Sequence, residues 1–226
     1  MGLDSYLERM PRYKNTTVNE ISAIEGLFNL EKERESGSKY GSCTLKEWWG
    51  IDESELPSQE VIDYYRQFYK TKYYYWDDEK KYGTNSIIEH VGYWRKANQI
   101  HNWFVNNVQD GEDDCNYHNE VTKEKLEELH DTCIAVLESC VMINGKVKNG
   151  YTMEHGEWKA NYEEGKVVID SSVAEELLPV STGFFFGSDE YDEYYVNDIV
   201  ETIKIINEVL KETDFEKQAI YYRSSW

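Results

Sequence analysis

The stretch at residues 93–105 constrains this chain most, because apolar residues recur in it at helical spacing while polar side chains fall among them. Projected at about 100° per residue, the pattern predicts one helix over residues 86–108 with a broad apolar arc. The polar side chains inside that arc or at its edge are Arg95, Asn98, His101 and Asn102. Burying an amide or an imidazole costs a few kcal/mol unless the group is hydrogen-bonded. We therefore expect Asn98 and His101, which fall inside the arc, to have partners either in the protein or in a ligand.

Two interpretations of this polar group stay open. In one, Asn98 and His101 form a buried hydrogen-bond network that orients the helix. In the other they contact a ligand, and Arg95 supplies a guanidinium fork for phosphate or carboxylate. The aromatic, basic segment at residues 64–76 either packs as an amphipathic element or adds ring faces and cations that suit a nucleotide. The candidate ligand-binding residues are Arg95, Asn98, His101, Asn102, Tyr69 and Lys72.

The net charge of -20 limits the possible partners. Residues 110–131 hold nine acids and two lysines, and residues 188–216 hold ten acids and two lysines, so these stretches carry -7 and -8. Such charge repels duplex DNA and anionic membranes. The acids either form solvated helix faces or a ridge that docks on the basic surface of a host protein.

A partner-binding surface would combine these acids with an aromatic anchor. Trp103 faces away from the apolar arc, so it either packs under another segment or contacts a partner. The segment 187–192 precedes a predicted helix, whose first backbone N–H groups could bind an anion. The three acids in this segment already complement the helix N-terminus, so we favour a helix cap without a ligand. The candidate partner-binding residues are Trp103, Asp113, Asp114, Asp189, Glu190 and Asp192.

The patterning predicts an α+β fold in a single domain over residues 1–226, with three long helices packed on a small, mainly antiparallel sheet. The sheet includes N- and C-terminal strands, which we expect to pair with each other. The predicted elements are a strand at 2–10, a weak helix at 15–30, a helix opening at Ser58, the helix at 86–108, a helix at 123–142 capped by Thr122, a hairpin region at 146–170, a long helix capped by Ser188 or Asp189, and a strand at 219–222. The helix at 123–142 is expected to end at Asn144-Gly145.

Catalytic and cofactor motifs are absent from the sequence. It has no Gly-x-Ser-x-Gly, no Walker loop and no dinucleotide fingerprint. The pairs Cys115/His118 and His130/Cys133 have zinc-like local spacing, but packing explains Cys133, and we expect no metal and no cofactor. No apolar run reaches the roughly 18 residues of a membrane span, and no signal core opens the chain, which predicts a cytoplasmic protein.

Three blocks carry a family resemblance: Met-Gly-Leu-Asp-x-Tyr-Leu at residues 1–7, Tyr-Trp-Arg-Lys-Ala-Asn-Gln-Ile-His-Asn-Trp-Phe-Val within 93–115, and Gly-Phe-Phe-Phe-Gly-Ser-Asp-Glu-Tyr-Asp-Glu-Tyr-Tyr within 175–195. With the terminal Ser-Ser-Trp, they resemble a family of small accessory proteins encoded by tailed bacteriophages and prophages. The resemblance implies expression in the cytoplasm of an infected bacterium. It also implies that residues 31–80 and 141–170 are family-variable insertions, and it carries no catalytic or binding residues.

Three functions are compatible with the sequence. The leading hypothesis is a non-enzymatic accessory protein that antagonises a bacterial defence system by binding a basic host protein. The alternative is a sponge that sequesters a signalling nucleotide. The third is an enzyme that uses His101 as general base, which requires an open cleft at that residue.

Overall fold

The computed structural model describes residues 2–77, 80–114, 118–183 and 186–226, and for residues 72–77 and 80–83 it describes the backbone alone. The α-helices are α1 (Val18–Glu35), α2 (Leu45–Trp49), α3 (Gln59–Arg66), α4 (Asn98–Val108), α5 (Lys123–Ser139), α6 (Ser172–Leu177) and α7 (Glu193–Glu212). The strands are β1 (Asp4–Pro11), β2 (Lys70–Asp77), β3 (Lys80–Ser86), β4 (Glu89–Arg95), β5 (Asn119–Val121), β6 (Met142–Glu154), β7 (Glu157–Val168) and β8 (Gln218–Ser225).

The fold is α+β, as predicted. A four-stranded sheet has the order β4-β1-β8-β5, so the N- and C-terminal strands are neighbours, and the predicted pairing of the two ends is confirmed. Two antiparallel hairpins, β2-β3 and β6-β7, form separate two-stranded sheets. The described part of the chain contains seven α-helices, so the expectation of three long helices is not confirmed. None of the described helices is long and apolar enough to cross a membrane.

The chain divides into two compact units. The first takes in Met1–Leu7, Val91–Thr213 and Ile220–Trp226, and the second takes in Glu8–His90 and Asp214–Ala219. In the second unit, α1 opens with a capping box between Thr17 and Glu20, and the buried face of this helix includes Ile24 and Phe28. Ser58 stands at the N-cap of α3 as predicted, although its side chain makes no capping hydrogen bond.

The first unit is built around α4, α5 and α7. Thr122 caps α5 by accepting the backbone N–H of Lys125. Val121 and Leu126, which have the spacing of a hydrophobic staple around this cap, are both buried. The predicted stop at Asn144-Gly145 is wrong, because α5 ends at Ser139 and both residues lie in β6. A Cβ on Gly145 would lie 2.8 Å from Val167 Cγ2, so this glycine permits close strand packing instead of ending a helix.

The predicted helix over residues 86–108 is wrong in its first half. Residues 89–95 form β4, in which Gly92 and Trp94 are buried while Tyr93 and Arg95 are exposed. A Cβ on Gly92 would lie 2.7 Å from Ile205 Cγ2, so this strand approaches α7 too closely for a side chain. The helix begins only at Asn98.

The hairpin predicted at residues 146–170 is present with longer strands. Its turn lies at His155 and Gly156, which both have positive φ (53° and 88°), as a two-residue type I′ turn requires. Asn149-Gly150, whose residue types also favour a turn, instead marks an irregularity in the register of β6. The long helix α7 is capped by Asp192, whose carboxylate accepts the N–H groups of Tyr194 and Tyr195, so the predicted caps Ser188 and Asp189 are wrong.

Candidate functional site

The amide of Asn98 is fully used inside the protein. Asn98 is 2% exposed, and its Nδ2 donates to the carbonyl oxygens of Phe186 at 3.0 Å and Ser188 at 2.8 Å. Its Oδ1 accepts the backbone N–H of Ser181 at 2.7 Å. The residue therefore ties the loop before α7 to the start of α4, which fits the structural interpretation.

His101 is sealed in a second hydrogen-bonded chain. It is 2% exposed, with Nε2 3.0 Å from Asp113 Oδ2 and Nδ1 2.7 Å from the Tyr222 hydroxyl. A carboxylate only accepts, so Nε2 carries the proton of this contact. The Tyr222 hydroxyl lies 3.1 Å from Ser5 Oγ, and Asp113 also accepts the indole N–H of Trp226 at 3.0 Å. An imidazole enclosed in this way is not open to a substrate. The general-base hypothesis requires an open cleft at His101, and the enclosed side chain does not meet that requirement.

The other candidate ligand residues do not join this network. The Arg95 side chain is 60% exposed and lies 3.3 Å from Asp4 Oδ1. The backbone carbonyl and side-chain oxygen of Asn102 both accept from the Asn106 amide. Tyr69 belongs to the second unit, where its hydroxyl donates to Asn29 Oδ1 at 2.7 Å. The side chain of Lys72 lies outside the described residues, as does Cys115.

The candidate partner residues are mostly engaged within the protein. Trp103 is 6% exposed and packs in the core. Of the two interpretations of this residue, packing within the protein therefore applies, and contact with a partner does not. Asp192 is buried as the cap of α7. The remaining acids have these partners: Asp113 accepts from His101 and Trp226, Asp114 accepts from Gln109 and Asn119, Asp189 pairs with Lys148, and Glu190 accepts from Tyr162. All five acids of the predicted partner surface are therefore already engaged by groups within the protein.

A cleft of about 390 Å³ lies beside the N-terminus of α4, and we call it the α4 cleft. Residues that line it include Arg95, Lys96, Gln99, Lys148, Tyr151 and Asp198. The ammonium of Lys148 lies 2.8 Å from Asp189, which raises the lysine pKa and lowers that of the acid. Burial raises the pKa of Asp198 to about 6, although a hydrogen bond from Gln99 at 3.1 Å opposes the shift.

Lys96 occupies a strained position on the rim of the α4 cleft. Its φ of 62° is left-handed, a conformation that costs a residue with a side chain about 1–2 kcal/mol. The same turn packs against Gly187, where an added Cβ would lie 2.9 Å from the Lys96 carbonyl oxygen. The junction between β4 and α4 is thus fixed by close backbone contact with the loop that Asn98 holds.

The outer half of the β6-β7 hairpin presents one aromatic side to solvent. Tyr151 pairs with Ala160 and Met153 pairs with Trp158, and directly paired residues share a face of the ribbon. Tyr162 lies two residues beyond Ala160 and so points the same way. The exposures of the four large side chains are 54% for Tyr151, 56% for Met153, 61% for Trp158 and 55% for Tyr162. We call this surface the aromatic hairpin face.

The aromatic hairpin face was missed in the sequence, although a signal for it exists. Large side chains at 158 and 162 and at 151 and 153 alternate with polar residues, which is the period of a strand. The base of the ribbon is anchored, because Val147 is fully buried and Tyr194 donates to Glu163 at 2.9 Å. The register irregularity between Lys148 and Tyr151 places two β6 residues opposite Asn161, which is a β-bulge.

Within the described ranges, no group of three or more His, Cys, Asp or Glu side chains is arranged to hold an ion. Cys133 is buried in α5, whereas His130 contacts the exposed Asp131 at 3.1 Å.

Neither protein-family models, nor curated protein sequences, nor solved structures give a match to this chain.

Proposed function

We propose that this chain works by binding another protein, with the aromatic hairpin face as its contact surface. Trp, Tyr and Met are enriched in interface cores, and Trp and Tyr often dominate binding energy. All four large side chains of this face are more than half exposed on one side of a two-stranded ribbon. That exposure is the observation that supports the proposal, since exposed apolar patches mark interaction sites.

The partner we propose is a protein with a basic surface. The chain carries a net charge of -20, and α5 adds exposed carboxylates to the same unit as the hairpin. These carboxylates are Glu124, Glu127, Glu128, Asp131 and Glu138. Complementary charge speeds encounter and selects against acidic partners, while the aromatic face supplies contact area. A second copy of this chain carries the same -20 and is repelled.

The sequence resemblance extends the proposal to a biological setting. We propose a phage accessory protein that acts in the cytoplasm of an infected bacterium and antagonises a defence system by occupying one of its proteins. The closed network around His101 supports a non-enzymatic mode of action, since the histidine has no open cleft. The phage origin rests on the sequence blocks alone.

The test is phage plating on bacteria that carry individual defence systems and express this protein. The wild-type chain is expected to restore plaques on at least one defended strain. The double substitution Met153→Ser, Trp158→Ser is expected to abolish this effect, because it removes a cross-strand pair from the aromatic hairpin face. The purified variant should keep the melting temperature of the wild type, since both side chains are exposed.

A matched control lies on the opposite side of the same ribbon. The double substitution Glu157→Ser, Lys159→Ser changes two exposed side chains and leaves the net charge unchanged. It should preserve plaque restoration. Equal activity of the aromatic variant and this control would exclude the hairpin as the contact surface, and no restoration on any strain would exclude defence antagonism.

Nucleotide sequestration is the second candidate, and the α4 cleft favours it. Arg95, Lys96 and Lys148 border the cleft, and Tyr151 offers a ring for stacking. The proposed site differs from the one expected from the sequence, because His101 is enclosed elsewhere. The phosphate groups of the nucleotide would contact the exposed cations Arg95 and Lys96.

A thermal-shift panel of cyclic and linear nucleotides tests this second candidate, because a ligand that binds the folded chain raises its melting temperature. Lys96→Gln should reduce the shift, whereas Lys204→Gln should not. Lys204 is an exposed lysine of α7 that does not line the cleft, so it controls for the loss of one charge. Absence of any shift across the panel would rule the nucleotide hypothesis out.

A further inference from the structure

A second cleft, of about 340 Å³, lies within the second unit. Its walls include Glu8, Glu25, Glu33, Trp48, Trp49 and His90. We call it the tryptophan cleft. Three carboxyl groups and two indole rings around one cavity form a combination that suits a positively charged group.

The aromatic wall of the cleft is held in place by α1. A Cβ on Gly26 would lie 3.3 Å from Trp49 Cγ, so the missing side chain lets this ring pack onto the helix. The Trp48 ring lies 6.2 Å from the Trp49 ring and stacks against Tyr40 at 6.1 Å. Neither indole N–H donates to another residue in the part of the chain that the structure describes. Trp49 is nevertheless 48% exposed, so its ring can be reached from solvent.

The three carboxylates of the cleft have different surroundings. The Glu8 side chain is 3% exposed and lies 3.2 Å from His90 Nε2. Glu25 accepts from the Ser86 hydroxyl and the Ile87 backbone N–H, both at 2.8 Å, and so fixes the strand connection. The carboxylate of Glu33 has no hydrogen-bond or ion-pair partner among the described residues. Glu33 is therefore the carboxylate that can receive a ligand.

The electrostatic field of the cleft acts on a neighbouring phenol. The pKa of Tyr69 is raised to about 12, first by burial and then by the charges of Glu25, Glu31 and Glu33. The Tyr69 hydroxyl donates to Asn29, which also lines the cleft. The same carboxylates that disfavour the charged form of this phenol favour a cation nearby.

We propose that the tryptophan cleft receives one arginine or lysine side chain of a partner protein. The indole rings bind the cationic head over their faces, and Glu33 pairs with it at the rim. The cavity is of the size that small-molecule sites have, which accommodates a single extended side chain. The net charge of -20 favours a basic protein as the source of that side chain. The aromatic hairpin face belongs to the other unit, so this site is independent of the proposed function.

The test is a titration of the full chain with the peptide acetyl-Gly-Arg-Gly-amide, followed by NMR of the indole N–H groups. Trp48→Phe and Trp49→Phe assign the two indole signals. Both signals should shift in a saturable way with the arginine peptide. They should remain unchanged with a control peptide in which citrulline replaces arginine, because the citrulline side chain has a similar shape but no charge. Glu33→Gln should weaken binding by about threefold or more, as loss of a charge-assisted contact does.

A matched control separates a local contact from the general field of an acidic protein. Glu35→Gln removes one charge from the same helix at an exposed residue that does not line the cleft, and it should leave the affinity unchanged. Equal weakening by Glu33→Gln and Glu35→Gln, or equal binding of the citrulline peptide, would overturn the proposal. Tighter binding of spermidine than of the arginine peptide would overturn it in favour of a free polyamine.

Discussion

At the scale of single residues, Asn98 and His101 each join α4 to a distant segment of the chain by a hydrogen bond. Both were expected to be buried and partnered, and both are. Their partners were not predictable, because Phe186 is 88 residues from Asn98 and Tyr222 is 121 residues from His101. A helical projection identifies a buried polar group, but only the tertiary fold identifies what satisfies it.

The substitution Asn98→Asp tests the amide as a tie between two segments. A carboxylate cannot donate to the carbonyl oxygens of Phe186 and Ser188, so it places like partial charges together in a buried site. We expect the free energy of unfolding in urea to fall by about 2–4 kcal/mol. Amide exchange at Ser181 should also accelerate. Asn102→Asp, one turn further along α4, serves as the control, because Asn102 is only half-buried and its side-chain oxygen accepts a hydrogen bond that a carboxylate can also accept. Similar losses for both variants would contradict a specific role.

The buried carboxyl of Asp198 predicts a defined dependence of stability on pH. Its pKa in the folded chain is raised to about 6 from the ordinary value of 3.8, so between these values the folded state holds more protons than the unfolded state. The contribution of this group to the free energy of unfolding is therefore fully present below about pH 4 and is lost as the pH rises through about 6. Asp198→Asn removes the titration and can still accept from Gln99. We expect the variant to gain up to about 2–3 kcal/mol over the wild type between pH 4.5 and pH 7.

Urea unfolding of both chains across that pH range measures the difference between them. The other titrating groups are common to both chains and cancel in this difference. A difference that stays constant with pH would mean that Asp198 titrates normally.

At the scale of elements, the turn between β4 and α4 shows where sequence reasoning failed. The apolar residues of 86–108 fit a helical period, but the alternation of Gly92 and Trp94 with Tyr93 and Arg95 fits a strand equally well. Short apolar runs do not distinguish the two periods. The close approach of Gly92 to Ile205 decides for the strand, and that contact comes from a distant part of the chain.

Substitutions at Lys96 measure the strain of this turn. Because φ is 62°, Lys96→Gly relieves the left-handed strain, whereas a β-branched Lys96→Val increases it. We expect the glycine variant to be equal to the wild type or more stable by up to about 1 kcal/mol, and the valine variant to be less stable by about 1–2 kcal/mol. Chemical denaturation gives both values. The reverse order of stability would mean that the lysine side chain, and not its backbone, controls the turn.

Other elements were predicted well where local chemistry sets them. The Thr122 cap and the two buried residues beside it, Val121 and Leu126, mark the start of α5, and these signals lie within five residues of one another. The start of α7 was misplaced because several acids compete for the cap. Asp192 holds it, since its carboxylate reaches two N–H groups and the residue is fully buried.

At the scale of the whole molecule, the charge of -20 predicts that salt stabilises the fold. Like charges repel more strongly in the compact state, and the Debye length is about 10 Å at 0.1 M salt, so added salt screens this repulsion. We expect the midpoint of thermal unfolding to rise by roughly 2–4 °C between 20 mM and 300 mM NaCl, a gain of about 1 kcal/mol. Choline chloride should act similarly, which would exclude specific sodium binding. A falling midpoint would mean that ion pairs such as Lys148–Asp189 outweigh the net repulsion.

The extra residue in β6 separates two properties of the hairpin, namely which side chains it displays and where it points. Lys148 pairs with Tyr162 before the bulge, and Tyr151 pairs with Ala160 after it. Deleting Gly150 would leave a regular ladder with the same pairs, so the aromatic side would keep its members. Only the bend and added twist of the bulge would disappear. The direction in which the hairpin points can therefore be changed by deleting a single residue that has no side chain.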